Sequence, residues 1–280
     1  MTVNSYLSSL ASDLVLSSDE KTIINTSIST LEYRLVLFFW SDIIEKFKFG
    51  SSTRDTILPR KADNNSDIDY MVVFNNSNNY TPQTFLDRLK RFAEKYYKTS
   101  EIHQSFPTIV LELNHIKFEL VPAYKSGFGY YIPNKTGGWM YTNPNDINSN
   151  LTSANTNNAS KIKPVIRLLK HWNISKTNRY YESYGLEKKL ISALEYSYFS
   201  CTSYSDYVLA AFNALKNESV YGTTIYNKID KAIKDIEEAI DDESKYPSLV
   251  EDEIQGVFPE VKLWENILMM LIKTLSYVLN

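Results

Sequence analysis

Two acidic residues, Asp67 and Asp69, stand one residue apart at the start of an apolar run in this 280-residue chain. They belong to the string "SDIDYMVVF", whose later residues are the β-branched and aromatic types typical of a buried strand. Side chains two positions apart on a strand point to the same face. Because two carboxylates held that close repel each other unless a cation lies between them, the pair is expected to bind a metal.

A third acid occurs in a later strand-like run. Glu119 lies in "KFELVPAY" and could complete an acidic cluster with the two aspartates. Mg²⁺ prefers carboxylate and phosphate oxygens. Three carboxylates can hold two such ions about 3.5–4 Å apart, an arrangement suited to in-line displacement at phosphorus.

A turn of small residues precedes the aspartates. Gly50 and Ser51 follow the strand-like run "IIEKFKF" and open a short helix, where backbone N–H groups can face a triphosphate. Phosphoryl and nucleotidyl transfer depend mainly on positioning and charge neutralisation, which this turn and the acids would supply. The alternative is that the aspartates are merely solvated at a strand end. The order of strand, turn, acid pair, strand and third acid favours the catalytic interpretation.

The first half of the chain is predicted to be mixed α and β. The patterns indicate, in order, a long helix after a Ser17–Glu20 capping box, a strand over 43–49, a strand over 68–74, a helix from Pro82, and a hairpin of the runs 106–113 and 116–124.

The second half is predicted to be helical. Residues 125–160 are rich in Gly, Asn, Pro and Thr, which indicates a loop-rich crossing. Helices are then expected over 161–172, 183–196, 205–216, 226–240 and 262–279. The last is the most apolar but is short for a membrane span and carries polar residues, so a packed helix is expected. The chain is therefore predicted to be α+β, with two lobes, 1–150 and 151–280, and a cleft between them.

Composition excludes several classes of protein. A net charge of −3 argues against coating long nucleic acid through a generally basic surface. The single cysteine, Cys201, excludes a disulfide framework or a thiolate zinc site within the chain. The first residues lack a basic segment and a long apolar core, so no secretion signal is expected. The expected setting is the cytoplasm, without membrane association.

These motifs together resemble a known superfamily. "GSSTRDT…SDIDYMVVF" with "FELVPAY" resembles the polymerase-β-like nucleotidyltransferases, and "IRLLKHWN" and "ESYGLE" make the chain most similar to the cGAS/DncV-like nucleotidyltransferases (CD-NTases) of bacterial CBASS anti-phage systems. The resemblance covers about residues 20–200. It implies a polymerase-β-like core lobe with a mixed sheet, plus a helical nucleotide-binding lobe.

The resemblance also implies roles for individual residues. Gly50 and Ser51 would hold the donor phosphates, and Asp67, Asp69 and Glu119 would bind two Mg²⁺ or Mn²⁺ ions. The third acid of the family is commonly aspartate, so Glu119 is a departure from its pattern.

In the helical half, Lys170 and Ser183 match positions that contact the donor triphosphate. Tyr184, beside Ser183, could stack on a base. The alternatives are a solvated helix lysine at Lys170 and a tyrosine packed into the core at Tyr184.

The resemblance implies that nucleoside triphosphates, ATP among them, are both donor and acceptor. The product would be a cyclic di- or trinucleotide second messenger in anti-phage defence, and a protein or nucleic-acid activator is left open. The first alternative is another transferase, either a linear oligoadenylate synthase or an enzyme that modifies a protein, tRNA or small molecule. The second is an inactive nucleotide-binding scaffold.

Overall fold

The computed structural model of the protein describes residues 1–127 and 129–261. Backbone contacts divide the chain into two units. Among the described residues, the sheet unit consists of residues 16–57 and 65–149, and the helical unit consists of residues 1–15, 58–64 and 150–261. The two lobes expected at 1–150 and 151–280 stay a prediction, and the helix expected over 262–279 lies outside the described residues.

Ten α-helices and seven strands are found in the described part of the chain. The helices are α1 (Val3–Asp13), α2 (Ser18–Phe39), α3 (Ser51–Arg54), α4 (Pro82–Tyr96), α5 (Asn148–Asn157), α6 (Ile162–Thr177), α7 (Ser183–Leu194), α8 (Tyr204–Glu218), α9 (Thr224–Asp242) and α10 (Val250–Val257). The strands are β1 (Ile43–Phe49), β2 (Asp67–Phe74), β3 (Glu101–Ser105), β4 (Thr108–Glu112), β5 (Lys117–Ser126), β6 (Gly129–Pro133) and β7 (Trp139–Thr142).

The sheet is mixed, as predicted. Its main order is β1-β2-β5-β4-β3, and β6 and β7 extend it from the far end of β5. Strands β2 and β5 are parallel, whereas β1 with β2, β4 with β5 and β3 with β4 are antiparallel. The fold is therefore α+β, with the two acid-bearing strands lying side by side at its centre.

The two faces of β2 have different surroundings. One face packs against α2 and α4 in the main core through alternate residues of β2, namely Ile68, Tyr70, Val72 and Phe74. The other face carries Met71 and Val73 in a smaller apolar cluster. Because side chains alternate along a strand, Asp67 and Asp69 lie on this second face, away from the helices.

Local signals explain how α2 and α4 begin. Ser17 and Glu20 form the predicted capping box, and the Thr81 hydroxyl accepts a hydrogen bond from the Thr84 amide with Pro82 in the first turn. Both helices contribute apolar residues to the main core. The core thus fixes the sheet from the side opposite the acids.

The predicted loop-rich crossing over residues 125–160 is partly wrong. That range contains the end of β5, the hairpin of β6 and β7, and α5. The hairpin is held by aromatic contacts, since the Tyr124 ring stacks on Tyr131 at 5.0 Å and meets Trp139 edge-on at 4.9 Å. Strand β3 and helices α1 and α10 were also not predicted.

The helical unit contains the four helices predicted over 161–240, here α6 to α9. The Trp172 ring of α6 meets Phe212 of α8 edge-on at 4.9 Å, and the Tyr6 hydroxyl of α1 donates to the Phe258 carbonyl at 2.7 Å. Within residues 1–127 and 129–261, no helix is both long and apolar enough to cross a membrane.

Candidate functional site

The parallel pairing of β2 and β5 brings the three predicted acids together. Asp69 is the register partner of Glu119, and Asp67 is the register partner of Lys117. Neighbouring strands lie about 4.8 Å apart, and paired residues point to the same face. Asp67, Asp69 and Glu119 therefore share one face of two adjacent strands, as the predicted cluster requires.

A lysine that sequence reasoning did not single out lies inside this cluster. The Lys117 ammonium is 3.1 Å from Asp67 Oδ2 and 3.2 Å from Glu119 Oε1. The side chains of Lys117, Asp67 and Glu119 are 18%, 29% and 26% exposed, so these contacts are partly shielded from bulk water. Lys117 stands two residues before Glu119 on a strand, and this spacing is the signal that could have found it.

The charges in the cluster perturb one another. Burial raises the pKa of the Asp67 carboxyl to about 6, and the Glu119 carboxylate adds to that rise, while Lys117 opposes it. Burial alone would lower the pKa of Lys117, but Asp67 and Glu119 together raise it above its usual value. With three carboxylates and one ammonium, the cluster suits a further cation.

The predicted Gly-Ser turn lies directly against the acids. Gly50 has φ 72° and ψ −154° and precedes α3, which begins at the half-buried Ser51. A Cβ placed on Gly50 would lie 2.0 Å from Asp69 Oδ2, so a side chain at this position would collide with the carboxylate. Thr53 holds the turn, because its amide and its hydroxyl donate to the Gly50 carbonyl at 3.1 and 2.8 Å.

The acids fit a divalent ion in donor type and in backbone register. All three donors are carboxylates, the ligands that Mg²⁺ and Mn²⁺ prefer. Across the described residues, no three His, Cys, Asp or Glu side chains are already arranged as a metal site. The Lys117 ammonium contacts Asp67 and Glu119, two of the three carboxylates that would hold the ion.

The three other predicted residues lie in the helical unit. Lys170 of α6 is buried, and its ammonium is 3.0 Å from Oε1 of Glu187, which is completely buried on α7. Ser183, the first residue of α7, and Tyr184 are exposed. The alternatives of a solvated lysine at Lys170 and a core-packed tyrosine at Tyr184 are therefore wrong, because Lys170 is buried and Tyr184 is exposed. Their contact with nucleotide stays a prediction.

Glu187 is a second residue that the sequence prediction missed. It lies four positions after Ser183 on α7, so the two share a helix face. By pairing with Glu187, the Lys170 ammonium is held beside the face of α7 that carries Ser183. The motif "ESYGLE" contains both residues, but sequence alone does not tell which buried cation the glutamate meets.

Comparison with known proteins identifies relatives of this arrangement. The family described as "Second Messenger Oligonucleotide or Dinucleotide Synthetase domain" matches residues 1–155. A Bacillus cereus (strain VD146) protein named "Probable cyclic nucleotide synthase" is 28% identical over 111 residues, 37% of this chain and 33% of the relative. A "Cyclic AMP-AMP-AMP synthase" of an Acinetobacter strain is 24% identical over 183 residues, 58% of this chain and 52% of the relative. The matched part of the chain thus spans about one third and one half of the length of these two curated relatives.

A solved structure shares the fold over most of the chain. The CdnC protein of E. coli MS115-1, solved with ATP, superposes with a TM-score of 0.71 at 15% identity, covering 92% of this chain and 98% of CdnC. The same protein has been solved in a complex with a HORMA protein, at a TM-score of 0.69 and 17% identity, covering 93% of this chain and 98% of CdnC.

Proposed function

Because the chain belongs to the family of second messenger oligonucleotide or dinucleotide synthetases, we propose that it is a nucleotidyltransferase that makes a cyclic di- or trinucleotide from nucleoside triphosphates. The observation that carries the proposal is the register of β2 and β5, which sets Asp69 beside Glu119 with Gly50 against Asp69. We place the activity in the cytoplasm, in anti-phage defence.

The acids and the turn have complementary roles in this proposal. Two Mg²⁺ or Mn²⁺ ions held by Asp67, Asp69 and Glu119 would neutralise the triphosphate and make the acceptor hydroxyl more acidic. The backbone amides of Gly50 and Ser51 orient the donor phosphates. Glu119 accepts the proton of the acceptor ribose hydroxyl while the hydroxyl oxygen attacks the α-phosphorus of the donor, and pyrophosphate leaves.

The helical unit supplies further contacts to the nucleotide. We assign Lys170 and Ser183 to the triphosphate, as an ammonium and a hydroxyl that neutralise and orient it. Tyr184 is assigned to base stacking, because the residue is 47% exposed and an aromatic face accepts any base. The buried partner Glu187 limits the positions open to the Lys170 ammonium, which favours a defined contact.

The relatives support a cyclic product and a triphosphate substrate. Two curated relatives are named as cyclic nucleotide synthases, and CdnC was solved with ATP. We therefore include ATP among the substrates. The CdnC complex with a HORMA protein supports a protein partner as the activator to test first.

The proposal is tested by incubating the purified chain with all four nucleoside triphosphates and Mg²⁺ or Mn²⁺, followed by phosphatase treatment and mass spectrometry. The inactive comparison is the double variant Asp67→Asn/Asp69→Asn. The matched control is Glu94→Gln, because Glu94 is an exposed acid of α4, the helix that packs against the sheet face opposite the acids. A phosphatase-resistant cyclic nucleotide from the wild type and the control, absent from the double variant, is expected.

Other products would identify the alternatives. A linear oligonucleotide degraded by phosphatase and nuclease would indicate an oligoadenylate synthase. Transfer to an added protein, tRNA or small molecule without nucleotide product would indicate a modifying enzyme. Binding of ATP without pyrophosphate release, with candidate activators present, would contradict any transferase and leave the scaffold.

A further inference from the structure

The ion pairs of Lys117 are built into the pairing of two strands. Lys117 stands directly opposite Asp67 in the parallel register of β2 and β5 and two residues before Glu119 on β5. All three side chains therefore share one face. The ammonium lies between the two carboxylates at 3.1 and 3.2 Å.

A solvated lysine would look different at this position. A lysine stem is long enough to reach water while its charged head stays hydrated. Here the side chain is only 18% exposed, and the ammonium contacts two carboxylates from different strands. Its position is that of a counter-ion for the acidic cluster.

We propose that Lys117 is a resident counter-ion of the acidic cluster that competes with divalent metal for Asp67 and Glu119 and thereby sets the metal affinity of the site. This inference rests on the proposed function insofar as it takes these acids to be metal ligands. A metal ion held by Asp67 and Glu119 would draw on the two carboxylates that the Lys117 ammonium already contacts. An ammonium and a divalent ion beside the same carboxylates repel each other, so Lys117 opposes metal binding for as long as its ammonium stays there.

The competition has a direct consequence for metal loading. While Lys117 neutralises part of the cluster, a free divalent ion gains less from binding Asp67 and Glu119. A triphosphate brings additional negative charge to the site, which offers the ammonium a second acceptor. Lys117 therefore weakens the binding of metal alone more than it weakens the binding of metal together with nucleotide.

The test is a titration of the full chain with Mn²⁺ in the absence of nucleotide. Electron paramagnetic resonance measures the concentration of free Mn²⁺ at each step, from which the affinity is obtained. Lys117→Met removes the charge and keeps the stem, and it is expected to tighten Mn²⁺ binding by about tenfold or more. Lys117→Arg keeps a cation and is expected to bind Mn²⁺ as the wild type does. Lys125→Met is the matched control, because Lys125 lies on the same strand but pairs with Glu45 at 2.6 Å.

Two further measurements separate the possible outcomes. Thermal unfolding checks that each variant is folded, and Lys117→Gln replaces Lys117→Met if the latter is not. Unchanged or weaker Mn²⁺ binding in a folded, uncharged variant overturns the proposal, because a competitor must strengthen binding when it is removed. Asp67→Asn/Asp69→Asn shows independently whether the acids bind Mn²⁺ at all, so a failure of the metal site is distinguished from a failure of the role of Lys117.

A second titration with a non-hydrolysable ATP analogue tests the consequence for loading. The difference in Mn²⁺ affinity between wild type and Lys117→Met is expected to shrink by at least about threefold when the analogue is bound. An equal difference with and without the analogue would contradict the shift of the ammonium to phosphate. Neither titration depends on turnover.

Discussion

Replacing Gly50 by alanine should damage the site through two separate effects. The first is conformational, because Gly50 has φ 72° and ψ −154°, a combination that is nearly exclusive to glycine. Forcing another residue into such a region costs about 1–3 kcal/mol. The second is a collision with Asp69, which lies on the adjacent strand.

The size of the collision follows from the distances. The added Cβ would lie 2.0 Å from Asp69 Oδ2 and 2.9 Å from its Cγ. To regain an ordinary contact of roughly 3.5 Å, the carboxylate oxygen must move by about 1.5 Å. A misplacement on the order of 1 Å at a reacting centre costs about 100-fold in rate, so Gly50→Ala is expected to lose at least that much turnover.

Gly137→Ala is the matched control. Gly137 also has a positive φ, 84°, but a Cβ placed on it meets nothing within 4 Å. Urea unfolding is expected to show a loss of about 1–3 kcal/mol for both variants. Pyrophosphate release with Mg²⁺ and nucleoside triphosphates should fall about 100-fold only for Gly50→Ala. Full turnover in Gly50→Ala would refute the reasoning. An equal loss of turnover in Gly137→Ala would show that backbone strain, without a collision, is enough to cause the loss.

Three further predictions concern charges. Glu187→Ala removes the buried carboxylate that pairs with the Lys170 ammonium, and urea unfolding should show a loss of about 3–5 kcal/mol in the free energy of unfolding. Most of this loss should be recovered in Lys170→Met/Glu187→Leu, which replaces both charges by apolar side chains. A loss below about 1 kcal/mol, which is typical of a surface ion pair, would contradict the importance of this pair. Burial would raise the pKa of Asp206, but hydrogen bonds donated by Ser203 and Thr202 lower this pKa below its ordinary value. The carboxylate therefore stabilises the fold above its ordinary pKa, and this stabilisation is lost as the pH falls from that value through the lowered pKa of the folded state. Asp206→Asn should therefore be less acid-sensitive than the wild type in urea unfolding at pH 7 and pH 3, and equal sensitivity would exclude this linkage. Glu119→Gln should lower pyrophosphate release by roughly 10²–10⁴-fold and Glu119→Asp by less, because only the latter keeps a carboxylate; equal rates for the two variants would argue against a role in proton transfer.

The alternation of side chains made much of the acidic site predictable. Asp67 and Asp69 were expected on one face of a strand, and β2 has them on the face opposite the main core. The register of Asp69 with Glu119 was not predictable, because pairing between strands fifty residues apart depends on long-range packing. The same alternation would have placed Lys117 beside Glu119 once both were assigned to a strand.

The hairpin of β6 and β7 shows why a glycine-rich stretch was misinterpreted as loop. Glycine usually marks turns, yet Gly129 is the first residue of a strand. A Cβ on Gly129 would lie 2.0 Å from the Tyr141 ring of β7, so the glycine makes room for an aromatic side chain on the neighbouring strand. Sequence patterns do not distinguish this use of glycine from a turn, because the ring that needs the space is twelve residues away.

Three predicted functional groups are positioned by residues whose positioning role was not predicted. The absence of a side chain at Gly50 lets Asp69 lie against the turn, Lys117 joins Asp67 to Glu119, and Glu187 holds Lys170. Motif matching identifies groups that react, because their chemistry restricts the residue type. A positioning residue is defined by the geometry between elements, which appears only after strands and helices have paired. A variant of such a residue should therefore alter affinity or turnover although every reacting group is still present.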